Sequence, residues 1–103
     1  MASNVTRCQV TKEDITFARQ NHGQGDIRKC PLARALTRLY EHEQVLKPVR
    51  VSKDMTRFGY TNSGYEFINR KNVWEWVQDF DGGVDVEEVV IVLDFDQGIM
   101  YLE

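Results

Sequence analysis

The chain has 103 residues, of which 42% are hydrophobic and 11% aromatic, with a formal net charge of −3. This composition supports a hydrophobic core within a single domain over residues 1–103, and it excludes a disordered polar tail as the main state. The chain has no apolar run near the roughly 18 residues that span a membrane, and we expect no secretory leader. Two cysteines provide no disulfide framework, which favours a reducing, cytoplasmic compartment.

Charge is distributed unevenly along the chain. Residues 1–60 contain eleven Lys and Arg against six Asp and Glu, whereas residues 61–103 contain two against ten. This asymmetry predicts a folded surface with a basic region and an acidic region. Either the two regions neutralise each other within the fold, or one of them binds a charged partner.

The first half of the chain predicts a strand followed by two helices. Residues alternate in polarity over 4–10, as in a half-buried strand. The segment 11–14 (TKED) indicates a helix start, because a hydroxyl and a carboxylate three residues later accept hydrogen bonds from free backbone N–H groups. A glycine-containing loop over 21–26 is expected to end this helix. A second helix begins at Pro31, and its apolar face contains Leu32, Ala35, Leu36 and Leu39.

The second half predicts four strands and a third helix. Residues 45–51 are predicted to form a strand, and Pro48 favours either a sheet edge or a bulge. Residues 55–60 are its predicted hairpin partner, followed by a turn at 61–64. The third helix ends at Gly82 or Gly83 in the left-handed conformation, and its apolar face contains Val73, Trp76, Val77 and Phe80.

The last two strands complete the predicted architecture. The run 89–93 is apolar and mostly β-branched, as in a strand buried on both faces, and residues 99–102 return after a turn. The predicted order is β-α-α-β-β-α-β-β. It corresponds to an α+β domain with a mostly antiparallel sheet packed against about three helices.

The residues with metal-binding or nucleophilic side chains do not form a recognisable pattern. Cys8, His22, Cys30 and His42 are separated by 13, 7 and 11 residues, whereas structural zinc sites use close cysteine pairs. Cys30 follows two cations at a helix start, a setting that lowers a thiol pKa. No Cys–His pair accompanies it, so we expect a capping or buried cysteine. We therefore predict no metal, no cofactor and no catalytic residue, and a protein that is not an enzyme.

Two regions are candidate binding surfaces. Arg28 and Lys29 precede the second helix, and Arg34 and Arg38 lie on its polar side, so these four residues form a candidate site for a phosphate or a carboxylate. In the acidic half, Trp74 lies off the apolar face of the third helix and is predicted to be either an exposed anchor or packed beneath a loop. Tyr60, Tyr65 and Phe67 extend the predicted aromatic patch. The carboxylates around Trp74 are those of Glu75, Asp79, Asp81, Asp85, Glu87 and Glu88.

Three segments resemble, in this order, a set of small bacteriophage proteins. They are residues 10–15 (VTKEDI), 30–36 (CPLARAL) and 76–83 (WVQDFDGG). Proteins of that set share a helix with the pattern CPxAxAL and a late helix end with the pattern FDxG. The set has no agreed function, so the resemblance implies a phage origin and the cytoplasm of an infected bacterial cell, but no particular activity.

Two functions follow as expectations. The first is a non-enzymatic protein that binds a host protein with a basic surface and inhibits or modulates it, for example a component of host defence such as a CRISPR system. Its acidic C-terminal region is the predicted contact surface. The alternative is a nucleic-acid-binding accessory protein, against which the overall acidity counts. No membrane partner is expected, and edge strands leave a homodimer open.

Overall fold

The computed structural model describes residues 4–21, 26, 28–59 and 64–103. Within these residues the chain forms six strands and three α-helices, which confirms the α+β class. A short 3-10 turn covers Gln44–Leu46. The elements are β1 (Val5–Val10), α1 (Lys12–Gln20), α2 (Pro31–Leu39), β2 (Val49–Val51), β3 (Met55–Phe58), β4 (Glu66–Asn69), α3 (Lys71–Asp81), β5 (Val89–Asp94) and β6 (Ile99–Leu102).

The strands form one sheet in the order β1-β5-β6-β4-β3-β2, antiparallel except where β4 pairs with β6. The strand predicted over 45–51 is shortened to β2, which directly follows Pro48 and lies at a sheet edge as predicted. Its hairpin partner is β3. In β5, Ile91, Val92 and Leu93 are fully buried. Because neighbouring side chains of a strand point to opposite faces, the prediction of burial on both faces is confirmed.

The strand β4 is absent from the predicted order. Its four residues alternate, with Phe67 buried between exposed Glu66 and Ile68, but the pattern is too short to identify from the sequence. The placement of Phe67 in an exposed aromatic patch was therefore wrong. The ring packs edge-on against Phe58 and Phe95, with centroids 5.8 and 5.2 Å apart.

Gly64 allows β4 to pass close to β3. A Cβ atom at Gly64 would lie 1.6 Å from the carbonyl oxygen of Phe58, so this approach excludes any side chain. Tyr65 next to it is 46% exposed and contacts Phe95 edge-on at 5.5 Å. Tyr60 and residues 61–63 of the turn predicted at 61–64 lie outside the described residues.

The helices pack on one face of the sheet. Helix α2 lies against β1 and β2, α1 packs on α2, and α3 packs against β6. The predicted apolar face of α3 is confirmed for Val73, Val77 and Phe80, which are buried, while Trp76 is half-buried at its margin. The largest fully buried side chains between helices and sheet include Leu32, Leu36, Phe58, Phe67, Phe80, Ile91, Leu93 and Met100.

A buried carboxylate joins β1, α1 and α2. The predicted helix start is a capping box, in which Asp14 N–H donates to Thr11 Oγ1 at 3.2 Å and Thr11 N–H donates to Asp14 Oδ2 at 2.9 Å. The Asp14 side chain is fully buried, although it is charged. Arg38 donates to Asp14 Oδ1 and to the Gln9 carbonyl oxygen, and Arg34 Nε lies 3.2 Å from Asp14 Oδ1.

These contacts determine the charge state of Asp14. Burial by itself would raise the pKa of this carboxyl group, because desolvation penalises the charged form. Hydrogen bonds from Arg38 and Thr11, together with the positive charge of Arg38, outweigh burial and hold the pKa below its ordinary value of 3.8. Asp14 is therefore a carboxylate at neutral pH, and it stabilises the packing of α1 on α2.

We predict that Asp14→Asn lowers the free energy of unfolding by about 2 kcal/mol at pH 7, the range of hydrogen bonds to charged groups. The folded-state pKa of Asp14 is depressed below the ordinary value of 3.8, so its contribution is present above pH 3.8 and is lost as the pH falls through the folded value. Urea unfolding of the wild type and of Asp14→Asn at several pH values measures this contribution. The difference between their free energies of unfolding should become smaller below pH 3.8.

Glu13→Gln is the matched control, because Glu13 is the exposed neighbour of Asp14 in the same helical turn. It should change stability by less than about 0.5 kcal/mol. Equal effects of the two substitutions, or a difference that grows in acid, would contradict this role of Asp14.

Candidate interaction surfaces

The structure brings the four basic residues of the predicted anion site around one cavity. The cavity has a volume of about 730 Å³, and its lining includes Arg28, Lys29, Arg34, Arg38 and Lys47 together with the ring of Phe17. We call this concavity the basic groove. Glu41 is the acidic residue among the described residues that line it.

The cations of the basic groove fall into two groups. Arg34 and Arg38 contact Asp14, and the Arg34 guanidinium carbon lies 3.8 Å from the centroid of the Phe17 ring. Across the described residues, Arg28, Lys29 and Lys47 form no side-chain ion pair. The groove therefore combines two arginines at ion-pair distance from Asp14 with three cations that are not ion-paired among the described residues.

Cys30 caps α2 next to this groove, as the sequence predicted. Its Sγ accepts a hydrogen bond from Ala33 N–H at 3.5 Å, and only 2% of the residue is exposed. Burial raises the pKa of the Cys30 thiol to about 11, although the backbone N–H groups of the helix start oppose the shift. Burial also raises the pKa of Cys8, whose Sγ donates to the Ala35 carbonyl oxygen. Both cysteines are buried thiols.

The acidic C-terminal residues lie on α3 and on the irregular segment 82–88 that follows it. Glu75 and Asp79 are exposed on α3, and Asp85, Glu87 and Glu88 are exposed on the segment. We call these five residues, together with Val84, the acidic surface. Val84 is an apolar residue on this surface and is 52% exposed.

The segment begins with a defined helix end. Val84 N–H donates to the Asp79 carbonyl oxygen and Gly83 N–H to that of Phe80, the bonding pattern of a Schellman motif. Gly83 has a φ of +82°, whereas Gly82 has a φ of −80°. Of the two glycines that the sequence offered for the left-handed position, Gly83 occupies it.

Side chains from other elements hold the rest of the segment. Arg19 of α1 donates to the carbonyl oxygens of Phe80 and Val84, and its guanidinium carbon lies 4.6 Å from the Phe80 ring centroid. The indole of Trp76 stacks on Phe80 and donates to the Glu87 carbonyl oxygen at 3.2 Å. Glu88 accepts from the Lys12 backbone N–H. The segment is therefore tied to α1 and to α3.

The surroundings of Trp74 differ from the rim of carboxylates that the sequence predicted around it. It is half-buried and packs against the core. On a helix, neighbours lie three and four residues apart, which places Gln78 next to Trp74 and Asp79 next to Trp76. Asp81 is half-buried and takes part in an internal interaction. Of the two environments predicted for Trp74, the packed one agrees with its burial, whereas Val84 is an exposed apolar residue in this region.

The comparisons with known proteins identify no relative. No protein-family model, curated protein or solved structure matches this chain. Within the described ranges, no group of three or more His, Cys, Asp or Glu side chains is arranged to hold a metal ion, and His22 lies outside these ranges. In the same part of the chain, no helix has the length and apolarity to cross a membrane.

The burial of the cysteines predicts slow thiol chemistry. A pKa of about 11 for Cys30, against an ordinary value of 9.0, reduces its thiolate fraction at pH 8 by about 100-fold. With an aromatic disulfide reagent, we expect Cys30 of the native protein to react at least this much more slowly than in guanidinium chloride, and Cys8, whose thiol pKa is also raised by burial, to react more slowly as well. A native thiol that reacts as fast as free cysteine would contradict the assigned burial.

Proposed function

We propose that this chain is a non-enzymatic binding protein that uses its acidic surface to bind a protein with a basic surface. The observation that carries the proposal is the attachment of segment 82–88, which presents Val84 and the neighbouring carboxylates while its backbone is bonded to α1 and α3. A segment that is ordered before binding loses less conformational entropy on association.

The chemistry of the acidic surface supports a protein partner. Val84 provides an exposed apolar contact, and Asp79 and Asp85 lie close to it in the chain. Apolar contacts surrounded by charged residues are typical of protein interfaces, where the charges steer the encounter and the apolar contact slows dissociation. Carboxylates repel phosphates, which disfavours nucleic acid as the ligand of this surface.

The resemblance to small phage proteins supports a bacterial host protein as the partner. Binding then inhibits or modulates that protein in the cytoplasm of the infected cell, for example as a component of host defence. Many proteins that handle nucleic acids present basic surfaces, and such a surface complements the carboxylates of segment 82–88.

The test is an affinity capture from bacterial lysate that has been treated with nuclease. The test variant combines Asp79→Lys, Asp85→Lys and Glu87→Lys. The control combines Glu13→Lys, Glu43→Lys and Asp54→Lys, which makes the same change in net charge at exposed carboxylates elsewhere. We expect the wild type and the control to retain a partner that the test variant loses.

Association and dissociation rates measured with the captured partner then distinguish the contribution of the carboxylates from that of Val84. Reversal of charges should slow association and weaken its dependence on salt, whereas Val84→Ser should mainly speed dissociation. Retention of every partner by the test variant, or loss of all partners after nuclease treatment, would overturn the proposal.

A further inference from the structure

We propose that the basic groove binds single-stranded nucleic acid, with phosphates on Arg28, Lys29 and Lys47 and a base against Phe17. This site is separate from the acidic surface. It rests on the residues that line one cavity between α1 and α2, none of which belongs to α3 or to segment 82–88.

The cations of the groove have different roles. Arg28 and Lys29 are exposed, Lys47 is half-exposed, and across the described residues none of the three is ion-paired. Arg38 is hydrogen-bonded to Asp14, and Arg34 lies at ion-pair distance from the same carboxylate with its guanidinium over the Phe17 ring. A guanidinium group has five N–H donors, so these arginines retain donors while their geometry is held. The groove thus presents positive charge from preorganised and free side chains.

Phe17 places an exposed aromatic ring in the groove, which binding of an anion by charge alone does not need. It is a large apolar residue that is 47% exposed, and it lies in the groove with the Arg34 guanidinium over its ring at 3.8 Å. Sites for single strands combine a cationic groove along the phosphates with aromatic rings on which bases stack, and arginine contributes to the same stacking. An acidic polypeptide would use the cations but does not account for the exposed ring.

The net negative charge of the chain does not oppose this assignment. The excess of carboxylates lies in residues 61–103, whereas among the described residues lining the groove Glu41 is the acidic one. A cavity of about 730 Å³ falls in the size range of small-ligand sites. It therefore suits a few nucleotides of one strand rather than a duplex.

The test measures binding of a fluorescein-labelled oligo(dT) of about 12 nucleotides, within the usual site size of single-strand binders, by fluorescence anisotropy. Between about 50 and 200 mM salt, the slope of log K against log salt should be about −2, as for three neutralised phosphates on a single strand. Arg28→Glu with Lys29→Glu should weaken binding more than about 10-fold and flatten this slope. Phe17→Ala should weaken binding by at least about 5-fold and leave the slope unchanged.

Lys53→Glu with Lys71→Glu is the control, because it makes the same charge change at exposed cations outside the groove. It should retain binding to within about 2-fold, with circular dichroism showing that all variants are folded. Absence of wild-type binding at the lowest salt, or equal losses in the control and the groove variant, would overturn the proposal. So would displacement of oligo(dT) by oligoglutamate at the same concentration, which would assign the groove to acidic polypeptides. None of these outcomes depends on the acidic surface.

Discussion

The burial of the Asp14 carboxylate is the constraint on which the packing of α1 and α2 at the end of β1 depends. A charge without solvent contact is costly unless hydrogen bonds and opposite charges compensate it. Here the compensation comes from the capping box of α1 and from Arg34 and Arg38 of α2, while Arg38 also contacts the end of β1. One carboxylate thereby connects β1, α1 and α2, and it pairs with two of the cations that line the basic groove.

The same interaction neutralises part of the positive charge in the basic half of the chain. Part of the basic excess is neutralised within the N-terminal half, by Asp14. Ion pairs between the halves include Arg7 with Glu103 and Arg57 with Glu66, and each joins side chains of the sheet region. Arg19 approaches the acidic segment but donates to backbone oxygens there. The groove is lined mainly by cations and the acidic surface by carboxylates, so these two surfaces have opposite charges.

Much of the fold could be predicted from local patterns. The capping box, most of the apolar face of α2 and the burial of β5 depend on residues close in sequence, so that periodicity and cap chemistry identify them. In α2 the buried residues include Leu32, Ala35 and Leu36, whereas Leu39 at the helix end is exposed. The strand β4 is different, because it is held by pairing with β3 and β6 and has only four residues. Its identity depends on strands that are distant in the chain.

The candidate sites also depend on contacts between residues that are distant in the chain, which local sequence patterns do not predict. The sequence identified the cations and carboxylates but not their partners, since the burial of Asp14 depends on the packing of α1 against α2. The periodicity of α3 indicated its core face, but the two tryptophans lie on opposite margins of that face. Which margin borders segment 82–88 depends on the hydrogen bond from Trp76 to Glu87 and on Arg19, which are tertiary contacts.

The most direct measurement of the central interaction is a carbon-13 NMR titration of the Asp14 carboxyl group in the folded protein. The account predicts a midpoint below the ordinary value of 3.8, because Arg38 and Thr11 favour the charged form more than burial disfavours it. It also predicts that Arg38→Gln raises the midpoint. A midpoint at or above the ordinary value of 3.8 in the wild type, or one that Arg38→Gln leaves unchanged, would contradict the assignment of Asp14 as the charge that joins β1, α1 and α2.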